Sequence, residues 1–401
     1  MKYSKIALVV STALLASTSV YAATDTDNDN YAKINQISGD SNSAKIYQNK
    51  GAQKNNTSTI IQISTGNQGN TAVSIQEHTW DATSTITQDG NNNDAKVTQK
   101  DTVDRSFSTV STIGDGNSVT VLQFKTWEAN SYVEQDGNNN DAKVTQRDVV
   151  DGSIASVYTV GNRNTATITQ KNEMKNAQAY IAQVSANKNE ATITQQNGGN
   201  GGIAVAAVYQ TGENDKATVT QNGDGNYTLA MQYSSSGGRN TISVTQTSTG
   251  GAENYAGVTT DDGHGSSITV NQTGTGNFVS NTDGDLWSMG ASLSGSNTDL
   301  RITQDGESNW VNVDLDSNGS DIKVTQNGNN HDASVTGFGG FDDDIDVMQD
   351  GSHQYAVVTI DSGNRHTVNI NQQGFNHYAE VTSNGSGNTA VIMQAGYNGG
   401  I

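Results

Sequence analysis

Residues Gln88-Asp-Gly-Asn-Asn-Asn-Asp-Ala-Lys-Val-Thr-Gln99 return unchanged as Gln135-Asp-Gly-Asn-Asn-Asn-Asp-Ala-Lys-Val-Thr-Gln146, 47 positions further along the chain. Between the two copies, Thr112-Ile-Gly-Asp-Gly-Asn117 leading to Gln123 is a weaker version of the same design. Another weak version runs from Thr159 through Asn164 to Gln170. The long period is therefore two units of about 23 residues each, the signature of a repeat architecture.

Alternation within a unit is strict. Asn93, Ala95, Val97 and Gln99 occupy every second position, as do Asn140, Ala142, Val144 and Gln146, and again Asn164, Ala166, Ile168 and Gln170. The same spacing sets Asn42, Ala44, Ile46 and Gln48 near the start and Asn388, Ala390, Ile392 and Gln394 near the end. Side chains two apart on a strand share a face, so these residues point inward together while the intervening Thr, Lys, Ser and Glu face water. Beyond the N-terminal leader no stretch sustains a helical period.

The terminal Gln slots Gln36, Gln48, Gln62, Gln76, Gln88 and Gln99 are expected to continue at steps of 11 to 15 residues throughout. Glycine follows the slot at Gly90, Gly137, Gly223, Gly274, Gly306, Gly328, Gly351 and Gly374. Many of these arcs read Gln-x-Gly-x-x-Asn, as in Gln221 to Asn226, Gln272 to Asn277 and Gln304 to Asn309, with Gln326 opening a similar arc. Glycine admits positive φ and lets the chain reverse within a few residues. Strand, arc, strand, arc makes one coil, so the expected fold is an all-β β-solenoid of about 15 coils with about 23 residues in each. The inward Asn and Gln amides are expected to bond to identical amides one coil above and below.

Composition alone points elsewhere. Hydrophobic residues make up 32% and the net charge is −20, values at which a chain ordinarily stays disordered. Yet there is no proline, where average usage would give about 20, and proline is the residue that a continuous hydrogen-bonded ladder excludes. There is no cysteine either, so backbone and amide hydrogen bonds must hold the fold. Repetition supplies what composition withholds.

Lys2 and Lys5, the apolar run Ile6 to Val20 and the small-residue site Val20-Tyr21-Ala22 read as an export signal cleaved after Ala22. The expected organisation is 1–22 signal peptide, 23–29 short linker and 30–401 solenoid. No later segment reads as membrane-spanning, and with no basic patch to meet phosphates nucleic acid is not an expected partner. A repeat begins at Asn30 and a good copy ends at Gln394 with no sign of a capping element. The terminal coils are thus expected to act as open templates for further copies of the chain.

Regularity fades twice. Asp283 to Asn297 keeps alternation in Trp287, Met289, Ala291 and Leu293 but loses the Gln, and Phe338 to Asp346 carries a glycine pair and an Asp run. Both read as looser coils or surface bulges. Of six histidines, His331, His366 and His377 stand in Asn slots, and the others have no partner at ligand spacing. Asp342, Asp343, Asp344 and Asp346 read as a solvated arc, and Asp89, Asp136, Asp305 and Asp350 as turn formers that also slow premature aggregation. Trp80 and Trp127, themselves 47 apart, read as packing over an arc. No cofactor, metal or catalytic constellation is expected.

The spacing Ser84-x-Ile86-x-Gln88-x-Gly90-x-x-Asn93-x-Ala95-x-Val97-x-Gln99 resembles the curlin repeat of curli amyloid fibres, and the resemblance extends over nearly all of residues 30–401. It implies a homopolymeric fibre secreted to the surface of a Gram-negative bacterium. It further implies passage through a dedicated outer-membrane pore, nucleation by a partner subunit, and service in adhesion and biofilm. The Gln-rich terminal repeats favour a major subunit over a nucleator, although the chain is longer than typical curlins. Two other classes compete. A monomeric solenoid could bind ice through Thr167/Thr169, Thr192/Thr194 and Thr218/Thr220, a face that Lys96, Lys143 and Lys323 interrupt. A polysaccharide-cleaving β-helix would need clustered acid and base groups that the sequence does not supply.

Overall fold

The computed structural model describes residues 9–10, 19–24, 30–37, 41–49, 55–66, 68–198, 203–233, 238–248, 253–261, 264–280 and 290–397. Most of the expected signal peptide and linker, together with Trp287 and Met289, lies outside them. The described residues form strands and no helix, so no helix is long and apolar enough to cross a membrane. The chain divides into two compact units, Met1–Ile203 and Ala204–Ile401.

In the first unit, seven coils run from Tyr31 to Gln196, each with two strands. First strands such as Thr83–Asp89, Phe107–Ile113 and Asn130–Asp136 stack in parallel as one sheet. Second strands such as Asp94–Asp104, Ser118–Trp127 and Asp141–Asp151 stack in parallel as the other. Each coil lies in register on its predecessor, so Ala95 faces Val119, Val97 faces Val121 and Gln99 faces Gln123. Ser19–Thr24 is also a strand, parallel to Ser43–Asn49.

The second unit repeats the plan in eight coils. Its second strands, from Lys216–Asn222 to Thr389–Tyr397, make an uninterrupted parallel series. Among the first strands the series is broken at one coil, where two short pieces, Phe278–Val279 and Ala291–Leu293, share the place of one strand against Trp310–Asn318. Much of the stretch 283–297, where an irregularity is expected, lies outside the described residues, which resume at Gly290. The Phe338–Asp346 stretch is more regular than expected. Asp332–Phe341 and Asp344–Ser352 are full strands, with one register shift where Asp316 faces Phe338 and Ser317 faces Gly340.

Burial follows the alternation residue by residue. Strand Thr83–Asp89 buries Ser84, Ile86 and Gln88, and Thr165–Lys171 buries Ala166, Ile168 and Gln170. Apolar groups of two facing sheets form a thin strip, and the polar ends of each strand close it with hydrogen bonds. Such a core is favoured by pairing its amides, because an unpaired buried amide costs on the order of 1–3 kcal/mol.

Candidate functional site

The feature that sets this chain apart from an ordinary globular core is its interior columns of amides. In the first unit Gln48, Gln76, Gln99, Gln123, Gln146, Gln170 and Gln195 form one column, each Nε2 donating to the next Oε1 at 2.7–3.0 Å. The second N–H group of each serves backbone carbonyls of the facing strand and arc. Gln123, for example, reaches Phe107 O at 3.1 Å and Ala129 O at 2.9 Å. In the second unit Gln221, Gln246, Gln272, Gln304, Gln326, Gln349, Gln372 and Gln394 form a column of the same kind. Gln99, Gln146, Gln170, Gln221, Gln304, Gln326 and Gln394 are rungs of these two columns.

The columns of the first strands behave differently. Gln36, Gln62 and Gln88 are linked at 2.8 and 2.9 Å, but Thr112 follows Gln88. Gln135 then lies between Thr112 and Thr159, whose short side chains leave both Gln135 Nε2 and Oε1 buried without a partner within the protein. Gln135 is therefore an inward amide but not a rung of a ladder, a correction to the sequence reading. In the second unit Gln210 donates to Gln232 at 2.7 Å, after which Thr260, Leu293, Leu315, Gly337, Ile360 and Ser383 take the slot. The Gln step of 11 to 15 residues thus fails in the later coils because one of the two columns becomes mostly apolar.

Asparagine does something other than expected. Asn70, Asn93, Asn117, Asn140 and Asn164 do not pair amide to amide. Each Oδ1 accepts the backbone N–H of the equivalent residue one coil on, so that Asn93 Oδ1 receives Asn117 N and Asn140 Oδ1 receives Asn164 N, at 2.9 and 3.0 Å. Each Nδ2 donates to an arc carbonyl in the next coil, as Asn93 does to Gly114 O and Asn140 to Gly161 O, both at 2.8 Å. In these five residues of the first unit the side chain bonds the neighbouring backbone and not the neighbouring amide. In the second unit Asn254 Nδ2 reaches Asn226 Oδ1 at 3.2 Å and Asn309 Nδ2 reaches Asn277 Oδ1 at 3.1 Å, alongside the same backbone bonds.

The arc glycines sort into two sets. In the first unit Gly90 and Gly137, with Gly114 and Gly161, lead into the strands that carry the complete Gln column. In the second unit Gly223, Gly274, Gly306, Gly328, Gly351 and Gly374 lead out of such strands. Glycine is required by crowding as much as by φ. At Gly137, with φ +125°, a Cβ would fall 1.9 Å from Gly161 O.

His331 and His377 occupy Asn slots as read from the sequence. His331 Nε2 donates to Asn327 O at 3.0 Å and His377 Nε2 to Gln373 O at 2.9 Å. Burial pushes the His331 imidazole below its ordinary range, against backbone carbonyls that pull it up. His366 stands in the equivalent column on the other arc, its backbone N–H on Asp343 Oδ1 at 2.9 Å and its Nδ1 2.8 Å from Ser383 Oγ. Asp343 is consequently buried, and Asp344 and Asp346 lie on the strand Asp344–Ser352 with Asp346 half-buried, so the solvated-arc reading fails at these three and fits the exposed Asp342. Among the described residues no group of acidic or histidine side chains could hold a metal ion.

Sequence reading missed a second repeated device. His78, Asp101, Lys125 and Asp148 all take a left-handed backbone, at φ 53°, 58°, 53° and 61°, in four successive second strands. Their signal was available, because His78 and Lys125, and likewise Asp101 and Asp148, are 47 residues apart. Trp80 and Trp127, at the ends of two of these strands, are 38% and 50% exposed, so they do not pack down over an arc.

No curated protein matches the chain. The family model of the curlin associated repeat matches residues 212–247, 340–374 and 363–396, each of which includes a rung of the second unit's Gln column. Matched three times within the second unit, the curlin associated repeat supports assignment of the chain to the curlin-repeat family.

Proposed function

We propose that the chain is the structural subunit of an extracellular curli-like fibre that grows by stacking the coils of successive copies. The observation that carries this reading is the Gln column, which uses each amide as donor to one coil and acceptor from another. At the last described coil Ala390, Ile392 and Gln394 are partly open to solvent, whereas Val368, Ile370 and Gln372 beside them are buried. A strand edge of this kind, with aligned backbone groups and a ready amide, is a template for another coil.

The role in adhesion and biofilm, the export pore, the nucleating partner subunit and the cell-surface location belong to the same proposal and rest on the family. The competing ice-binding face is short. Thr167/Thr169 stack on Thr192/Thr194, and Lys143 ends the row in the adjoining coil.

The test is seeded growth. Thioflavin fluorescence of the freshly desalted chain is followed with and without sonicated fragments of its own aggregate. Seeds are expected to abolish the lag, and the product to diffract at about 4.7 and 10 Å. A soluble β-rich monomer that ignores seeds would refute the reading.

A further inference from the structure

The repeated bulge builds a ledge that the interior does not explain. Thr71–Trp80 and Ser118–Trp127 are 10 residues long and Asp94–Asp104 and Asp141–Asp151 are 11, against 7 for Thr165–Lys171 and Glu190–Gln196. The extension begins at the left-handed residue, where the register shifts past Glu77 and Phe124. A non-glycine in that conformation costs on the order of 1 kcal/mol, and persists only where the surroundings hold it. Thr79, Val103 and Thr126 turn inward and are buried, which accounts for the inner side of the ledge. The outer side is a column of alternating Trp80, Asp104, Trp127 and Asp151 in register, and burial does not account for it.

This column has a definite period and a definite charge. The two indoles are separated by two coils, about 9.6 Å at the usual strand spacing of about 4.8 Å. Arg105 holds the second in place, its guanidinium 5.3 Å over the Trp127 ring and its Nη1 2.8 Å from Glu128. A partner must offer flat apolar faces at that repeat and hydrogen-bonding groups between them. A peptide strand does not fit, because its same-face repeat is about 6.8 Å. A polyanion is opposed by Asp104, Glu128 and Asp151 and by the net charge of −20. An extended β-1,4-linked sugar chain does fit. Its rings have apolar faces, its hydroxyls can donate to a carboxylate, and every second ring presents the same face at about 10 Å, close to two coil spacings.

We infer that the Trp80–Asp104–Trp127 ledge binds a neutral, extended β-1,4-linked glycan lying along the coil axis. Trp80 and Trp127 stack on rings one disaccharide apart, and Asp104 accepts hydroxyl hydrogen bonds between them. The inference does not depend on fibre growth, since the whole ledge lies within one chain.

Adsorption isotherms of the full chain on microcrystalline cellulose, with granular starch as the α-linked control, test it whether the chain is monomeric or assembled. Binding to cellulose and not to starch is expected. Trp80→Ala and Trp127→Ala are each expected to weaken it roughly tenfold, the scale of one lost stacking contact. Trp310→Phe, outside the ledge, is expected to bind as the parent does, and circular dichroism checks that each variant keeps its β content. Equal adsorption on starch, or undiminished adsorption of the Trp80→Ala/Trp127→Ala double variant with β content intact, would overturn the assignment. So would a ledge variant that changes only the lateral bundling of fibres, which would make a second copy of the chain the occupant.

Discussion

Gln123 Nε2 lies 3.0 Å from Gln146 Oε1, the residue that holds the same place one coil later. Gln123 also receives Gln99 Nε2 at 2.7 Å. Replacing it with Ala removes a donor and an acceptor at once and leaves Gln146 Oε1 buried without its partner. Gln123→Ala is expected to lose roughly 2–4 kcal/mol of stability in urea unfolding.

Gln135 predicts the opposite sign. Its amide has no partner within the protein, so Gln135→Leu discards an unpaired polar group while keeping the volume. Stability is expected to rise by about 1 kcal/mol in the same assay. A loss comparable to that of Gln123→Ala would show that Gln135 is satisfied in solution.

At Gly137 both backbone and space forbid a side chain. Gly137→Ala sets a methyl against Gly161 O and forces the arc apart. The expected loss is about 3 kcal/mol or more, with hydrogen exchange accelerated in the coils on either side.

Acid is expected to weaken the second unit. Burial lowers the folded-state pKa of His331, so the unfolded chain binds the proton more readily than the folded one. For a base shifted this way, stability is complete above the unfolded value of about 6.5 and falls as pH drops below it toward the folded value. Urea midpoints measured between pH 8 and pH 5 should decline, and His331→Asn should flatten the decline. A slope unchanged in that variant would assign the effect elsewhere.

Asp299, Asp321 and Asp344 face one another in register at the start of three successive strands. Like charges directly opposite destabilise a sheet, and salt screens them. Asp321→Asn is expected to raise stability by about 0.5 kcal/mol and to shorten the lag of assembly. Both effects should shrink in high salt.

Much of this architecture is legible in the sequence, and for a local reason. Inward and outward positions of a strand alternate strictly, so Ala95, Val97 and Gln99 announce their burial without reference to the rest of the chain. What cannot be read locally is the fate of a polar group whose partner is a coil away. Gln99 and Gln135 look alike in sequence. Only the residues stacked against them, Gln123 in one case and Thr112 and Thr159 in the other, decide that one is bonded and the other is not. Asn93 is likewise decided by its neighbours, since its amide bonds the backbone of the next coil, whereas Asn254 and Asn309 also bond a neighbouring amide. The Trp80 ledge and the bulge at His78 and Lys125 were both visible as a spacing of 47, but that spacing says nothing of the left-handed backbone or of the exposure of the indoles.

The Gln columns carry a sense of direction. In the first unit the bonds from Gln48 to Gln195, and in the second those from Gln221 to Gln394, all run from the N–H of an earlier coil to the oxygen of a later one. Each column is a file of aligned amide dipoles, an arrow inside the core. A copy joined tip to tip in reverse would oppose oxygen to oxygen or N–H to N–H, so copies can extend the file only by pointing the same way. A filament made like this has two unlike tips, one offering acceptors and the other donors, and the two should lengthen at different rates.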